Sequence, residues 1–238
     1  MQADILTLAA LGCHPLSVIT ALTVQDTRGV ERVLPIDAQW VRSQALHVLA
    51  DVPAAAFKAG VLGSAESVRA VSEVVAAHAQ VPFVVDPVLA SARGDALADE
   101  RALDALRELI LPRATVLTPN SLEARRLAGE TELARCARRL VAGGCEYVLI
   151  TGTHEATSEV INTLYDESGV VREDRWPRLP GSYHGSGCTL ASAIAARLAL
   201  GSEPAKAVRE AQHFTWQALS SGFRPGGGQL LPQRFFDR

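Results

Sequence analysis

The chain has no excess of charge of either sign: 23 Lys and Arg stand against 26 Asp and Glu over 238 residues, a net charge of −3. No Lys/Arg-rich run interrupts that balance, which argues against a nucleic-acid or anionic-membrane partner. Cysteine is sparse. Cys13, Cys136, Cys145 and Cys188 form no Cys-x-x-Cys pair and no His/Cys cluster at metal-ligand spacing. Neither a disulfide framework nor a zinc site is expected, and a reducing cytoplasm is the expected compartment. Also missing are a basic segment leading into an apolar core and a small-residue cleavage site, and any apolar run of bilayer length. A soluble, unprocessed chain with no membrane partner is therefore expected. There is no internal repeat and no low-complexity linker. What remains is a chain that is 48% hydrophobic and long enough to bury one large core, so residues 1–238 are read as one α/β domain.

Apolar runs of strand length alternate with helical patterns. The strand candidates are Ser17–Val24, Ala56–Leu62, Val81–Asp86, Ala114–Thr118 and Tyr147–Thr151. Between them, Asp37–Leu49, Ser64–Ala79, Asp99–Leu111 and Glu132–Ala142 carry i, i+3, i+4 apolar spacing, several opened by Asp or Ser as N-caps. Repeated β-α units predict a mostly parallel sheet with helices on both faces. After Thr151 the pattern changes to a hairpin, Val160–Tyr165 and Gly169–Arg175 joined through "DESG", which fits an antiparallel edge. Helices Cys188–Leu200 and Glu203–Ser220 follow, then an irregular Gly/Pro-rich tail, "GFRPGGGQLLPQ".

In open parallel sheets ligands sit beyond the carboxyl ends of the strands. "HGSGCTLAS", residues 184–192, places Gly185-Ser186-Gly187 at the start of a helix. There backbone N–H groups and the positive end of the helix dipole can hold an anion, although a plain tight turn would use the same glycines. Cys188 stands where a helix N-terminus lowers a thiol pKa toward neutrality, which would let it accept a proton from a substrate hydroxyl. Its bland alternative is a small buried hydrophobe. A nucleophilic cysteine with His184 as base is the weaker rival, because no third, orienting group is evident. Asn120-x-x-Glu123 reads either as oxygen ligands suited to Mg²⁺ or as a capping box. Asp86, fixed between a strand and Pro87, reads either as a metal-water ligand or as a turn residue. Thr151-Gly152-Thr153 follow another strand and offer hydroxyl and backbone groups to nucleotide phosphates, while His154 reads as a surface residue.

Six segments in order, "QADILTLAALGCHPLSVITALTVQDTRGV", "FKAGVLGS", "VVDPVLASARGDAL", "LTPNSLEARRLAG", "VLITGTHE" and "YHGSGCTLASAIAARLA", resemble the hydroxymethylpyrimidine/phosphomethylpyrimidine kinases of thiamine biosynthesis. That branch belongs to the ribokinase superfamily, which also includes pyridoxal kinases. The resemblance implies a ribokinase-like fold and transfer of the ATP γ-phosphoryl group, with Mg²⁺, to the hydroxymethyl group of 4-amino-5-hydroxymethyl-2-methylpyrimidine and then to the phosphate of that product. It implies an anion hole at Gly185, Ser186 and Gly187 and a catalytic base at Cys188. Asn120 and Glu123 match a motif tied to Mg²⁺ and phosphate, and Asp86 an acidic position at the same site. Thr151, Gly152 and Thr153 match the nucleotide loop, and Gln25, Asp4, Gly60 and Val61 the substrate pocket. A homodimer is implied as well.

Two departures stand out. Thr151-Gly152-Thr153 occupies the place of a Lys-Gly-Gly in many relatives, which removes a cation from the nucleotide site. The sequence also begins at "MQAD", where relatives have completed a first strand and a glycine-rich loop, so upstream residues or an impaired product are expected. The alternatives are pyridoxal kinase and, from another class, a truncated ligand-binding homologue without turnover.

Overall fold

The computed structural model describes residues 1–89 and 99–236; the end of the "VVDPVLASARGDAL" segment lies outside the described residues. Its elements in chain order are α1 (Gln2–Ala10), β1 (Ala21–Gln25), β2 (Val30–Pro35), α2 (Ala38–Asp51), β3 (Phe57–Ala59), α3 (Ala65–Ala76), β4 (Phe83–Val85), α4 (Glu100–Ala105), β5 (Val116–Leu117), α5 (Ser121–Ala128), α6 (Leu133–Ala142), β6 (Tyr147–Ile150), β7 (Glu159–Asp166), β8 (Gly169–Pro177), α7 (Ser186–Ala199) and α8 (Pro204–Ser220).

Six strands form one sheet in the order β3-β4-β5-β6-β7-β8. The first four run parallel, and β7 and β8 add an antiparallel edge. The central strands read as unbroken apolar runs because both faces are covered. Phe83, Val85, Leu117, Val148 and Ile150 point into one core, with side chains of α3, α5 and α6, whereas Val84, Val116, Leu149 and Leu164 point into the other, against α7 and α8. Val84, Val116 and Leu149 are fully buried, each contributing roughly 1.5–3 kcal/mol. Among the described residues no helix is long and apolar enough to cross a membrane.

The hairpin forms as expected. Asp166 turns it by accepting the Ser168 N–H and hydroxyl at 2.8 and 2.6 Å, and Gly169 takes φ +113°. Two readings are corrected. Ser17–Val24 does not supply a strand to the main sheet: Ala21–Gln25 pairs antiparallel with Val30–Pro35 in a separate ribbon, turned by Asp26 Oδ1 accepting from the Arg28 and Gly29 N–H groups at 2.7 and 3.1 Å. The "QAD" stretch is helical. The helix expected over 99–111 is α-helical only to Ala105, then passes through a π turn at Leu106–Ile110 into a 3₁₀ turn at Leu111–Arg113, where Pro112 lacks the donor an α-helix needs.

The irregular tail ties the ribbon to the start of α7. Gln229 donates to the Thr27 carbonyl at 2.7 Å, and His184 donates to that of Leu230 at 2.9 Å. A side chain at Gly228 would strike the Thr27 carbonyl. The strand ends carrying Gly60, Asp86, Asn120 and Thr151 thereby lie on the same edge of the sheet, the edge where the parallel topology places ligands.

Candidate active site

The alternation of β3 sends Phe57 and Ala59 into the α3-side core and Lys58 to the opposite face. There the Lys58 ammonium donates to Asp4 Oδ1 on α1 at 2.9 Å and lies 3.9 Å from Asp86 Oδ2 at the end of β4. Ser192 of α7 donates to the same Asp4 oxygen at 2.7 Å, and the Met1 amine lies 3.0 Å from the other. Burial disfavours the charge on Asp4, yet Lys58, the amine and the hydrogen bonds bring its pKa down to about 2. Lys58 loses hydration, but Cys188, Asp86 and Asp4 keep its pKa above the ordinary value. Burial raises the Asp86 pKa against the pull of Lys58, and Asp86 Oδ2 is buried without a hydrogen-bond partner.

Cys188 enters this cluster from the first turn of α7, beside Asp86. The expected lowering of its pKa does not occur. Burial pushes the thiol up to about 12, and the charges of Asp86 and Asp4 hold it there against Lys58. In the free protein, desolvation and two carboxylates outweigh the helix dipole. The cysteine is a thiol inside the cluster.

Gly185 caps α7 at φ +80° with no side-chain cap, a conformation that costs an L side chain strain. The N–H groups of Ser186, Gly187 and Cys188 thus open the helix without a side-chain acceptor. Gly187 leaves room beside Asp86, whose carboxylate oxygens would lie 3.7–3.8 Å from an added Cβ. Arg234, from the tail, is 7% exposed. It donates through Nε to Thr189 Oγ1 at 3.1 Å and approaches Gly185 closely enough for Nη2 to stand 3.2 Å from an added Cβ. Burial lowers its pKa, while Cys188 and Asp4 raise it.

Asn120 and Glu123 form the capping box: Asn120 Oδ1 accepts from the Leu122 and Glu123 N–H groups, and Glu123 Oε2 accepts from that of Asn120 at 2.9 Å. The cap does not exhaust Glu123. Burial and the charge of Asp86 raise its pKa to about 8, against the N–H bonds of Asn120 and Leu89. Asn120 bridges Thr151. Gly152 lies so close to β7 that a Cβ would strike the Ile161 carbonyl. Thr153 and His154 are exposed, and Arg178 donates to the Thr153 carbonyl at 2.9 Å. Two arginines border this loop, and both are engaged: Arg125 of α5 by Glu155 at 2.8 and 3.0 Å, and Arg178 by the Thr153, Glu155 and Thr157 carbonyls.

The fold thus gathers Asp4, Asp86, Cys188, Glu123 and Gly185–Gly187, and sets Asn120 beside Thr151–Thr153. Gly60 borders Lys58, and the Val61 carbonyl accepts from Thr20 Oγ1 at 2.7 Å. Gln25 is exposed at the end of β1, outside the ion-paired cluster. No set of three or more His, Cys, Asp or Glu suited to a metal occurs among the described residues. Lys58 and Arg234 escaped the sequence reading. A lysine inside an apolar strand run was the available signal for the first; no local pattern marks the second. A cavity of about 830 Å³ opens elsewhere, along α8, and shares only Arg234 with these residues.

The sequence profile of the phosphomethylpyrimidine kinase family matches residues 1–232. A hydroxymethylpyrimidine/phosphomethylpyrimidine kinase of Streptomyces coelicolor is 43% identical over 96% of this chain and 86% of its own length. One from Rhizobium meliloti is 38% identical over 96% and 88%. Among solved structures, Staphylococcus aureus pyridoxal kinase in complex with AMP-PCP and pyridoxal matches 99% of this chain and 87% of its own, with a TM-score of 0.88 at 29% identity. Phosphomethylpyrimidine kinase from Clostridium difficile matches 92% of both chains, with a TM-score of 0.79 at 30% identity.

Proposed function

Because the chain belongs to the phosphomethylpyrimidine kinase family, we propose that it phosphorylates 4-amino-5-hydroxymethyl-2-methylpyrimidine and then the resulting monophosphate, with ATP as donor, in thiamine biosynthesis. The observation that carries the site assignment is the meeting of Cys188, Asp86 and Lys58 at the open N-terminus of α7.

A divalent cation fits the residues present. Asp86 Oδ2 is a buried carboxylate oxygen without a hydrogen-bond partner, and Glu123 is held protonated up to about pH 8 by burial and by Asp86. Both strains are relieved by positive charge. Two carboxylates short of a full cage would suit Mg²⁺, which when bound would supply positive charge to neutralise the phosphates. Asp86 and Glu123 would hold it, through water.

The chain's own groups supply the rest. At the Cys188 sulfur Lys58 and the α7 N-terminus favour thiolate, while burial, Asp86 and Asp4 oppose it. A thiolate there takes the proton of the substrate hydroxyl as its oxygen bonds to the γ-phosphorus and the bond from that phosphorus to the bridging oxygen of ADP breaks, releasing ADP. The N–H groups at 186–188 meet the charge on the transferring phosphoryl oxygens. In the second step the acceptor is already a phosphate oxygen, so no hydroxyl proton has to move. Gln25, Gly60 and Val61 are assigned to the pyrimidine, and Thr151–Thr153 with Asn120 to the nucleotide.

The test is ADP release with the pyrimidine alcohol, its monophosphate and pyridoxal as separate acceptors. Release with the first two supports the proposal; release with pyridoxal alone replaces it by the second reading. That reading draws on the pyridoxal kinases, whose solved structures superpose at TM-scores up to 0.88, whereas curated relatives at 38–43% identity bear the pyrimidine kinase name. We also propose a homodimer. The β1/β2 ribbon and α2 expose Leu22, Val24, Leu34 and Trp40 at 48–69%, an apolar patch that a second copy would cover. Leu34→Glu should yield monomers by sedimentation if this ribbon forms the contact.

A further inference from the structure

The N–H of Gly152 does not face the ligand side of its loop. It donates inward to Asn162 Oδ1 of β7 at 3.1 Å. Asn162 is 7% exposed and Gln212 of α8 is 3% exposed, so their amides must find partners within the protein. Asn162 Nδ2 donates to Gln212 Oε1 at 2.9 Å, Trp176 Nε1 donates to the same oxygen at 3.0 Å, and Gln212 Nε2 donates to Asp174 Oδ2 at 2.9 Å. Arg172 completes the series with two bonds to the Asp174 carboxylate, at 2.7 and 2.6 Å.

This network has a single direction. Asp174 can only accept, so Gln212 must turn its amide nitrogen to it and its oxygen to Asn162. Asn162 must then offer nitrogen to Gln212 and oxygen to Gly152. A carboxylate on β8 therefore fixes the amide of a glycine in the loop after β6. On the other side of the glycine, the Thr151 N–H donates to the Pro119 carbonyl at 3.0 Å.

Resting on the reading of residues 151–153 as the nucleotide loop, we propose that Asn162, oriented by Gln212 and Asp174, is a positioning residue for the nucleotide. Arg125 and Arg178, the arginines beside the loop, are engaged by Glu155 and by loop carbonyls, so its grip on phosphate depends on the placement of hydroxyls and backbone more than on charge. Asn162 determines that placement through Gly152, and acts on no reacting atom.

The experiment is equilibrium binding of ADP, which needs no knowledge of the acceptor, together with KM and kcat. Asn162→Ala leaves the Gly152 N–H buried without a partner. ADP binding and the KM for ATP should weaken about five- to twentyfold, with kcat and the KM for the pyrimidine alcohol within about twofold. Gln212→Glu sets a carboxylate against Asp174 and should also weaken ADP binding; adding Asp174→Asn, which can donate to Glu, should restore it. Unchanged ADP affinity in folded Asn162→Ala would overturn the proposal, as would an equal rise in both KM values or a fall in kcat alone. If Asn162→Ala does not fold, failure of the Gln212→Glu and Gln212→Glu/Asp174→Asn pair to show loss and rescue overturns it. A wild-type chain that binds no ADP would sink the nucleotide-loop reading along with the proposal.

Discussion

Lys58→Met removes the one ammonium that lies between two carboxylates. The Lys58 side chain is 10% exposed, against 22% for Asp4 and 7% for Asp86, so the group removed is part of a largely desolvated ion pair. Breaking such a pair costs about 3–5 kcal/mol, because the remaining partners stay buried and charged. The lower end is apt here, since Ser192 still donates to Asp4. A second route gives a similar size: a pKa lowered from 3.8 to about 2 on Asp4 corresponds to about 2 kcal/mol from that group alone. A loss of about 3 kcal/mol is a large share of a typical 5–15 kcal/mol total and should lower Tm by roughly 6–12 °C.

The pH dependence identifies the cause of that loss. In the wild type the folded-state pKa of Asp4 is depressed, so its contribution is full above pH 4 and is lost as pH falls from about 4 to about 2. In Lys58→Met Asp86 loses its cation and Asp4 keeps only the Met1 amine, so burial raises both carboxyls against less opposition. The folded state then binds protons more readily than the unfolded one, and the variant loses stability as pH rises above 4. Urea unfolding from pH 4 to 8 should therefore show the gap between wild type and Lys58→Met widening with pH, while Lys58→Arg stays close to wild type. A gap that is constant across that range, or absent at pH 7, would refute the ion-pair reasoning.

Four further outcomes follow from the geometry. Cys188→Ala should cut phosphorylation of the hydroxymethyl group at least tenfold more than that of the monophosphate, measured as ADP release; equal losses would remove the thiol from the proton transfer. In the free protein, alkylation of Cys188 followed by mass spectrometry should rise about tenfold per pH unit from pH 7 to 10, since its thiol pKa is about 12; a plateau near pH 7 would contradict the cluster's electrostatics. Glu123, raised to about 8, binds a proton in the folded state between pH 4.5 and 8 that the unfolded chain releases. Glu123→Gln should therefore gain stability relative to wild type as pH rises through that window, while losing activity; parallel stability curves would contradict it. Gly152→Ala should destabilise the fold and weaken ADP binding, because its methyl meets the Ile161 carbonyl of β7; wild-type Tm and affinity would show that the loop has room.

The α/β class, the parallel core and the antiparallel hairpin were legible in residue order because each rests on a local period: unbroken apolar runs for strands covered on both faces, i, i+3, i+4 spacing for helices, and Asp166 with Gly169 for the turn. Gly185–Gly187, Asn120 with Glu123, and Asp86 were legible as candidates because each sits at the end of a local pattern. The sequence left two readings of Asn120 and Glu123; the structure shows the capping box complete, with a Glu123 carboxyl whose pKa is raised by burial and by Asp86, and the Mg²⁺ reading stands as a proposal. It misplaced Ser17–Val24 as a strand of the parallel series, and only long-range packing sets Ala21–Gln25 in a ribbon with Val30–Pro35.

What tertiary structure alone decided is the electrostatics. A helix N-terminus acts locally to lower a thiol pKa, but Cys188 also meets Asp86 from β4 and Asp4 from α1, with Lys58 between those two carboxylates. Residues separated by up to 184 positions fix its protonation. Burial and charge act through space, and no spacing along the chain encodes a contact among four separate elements.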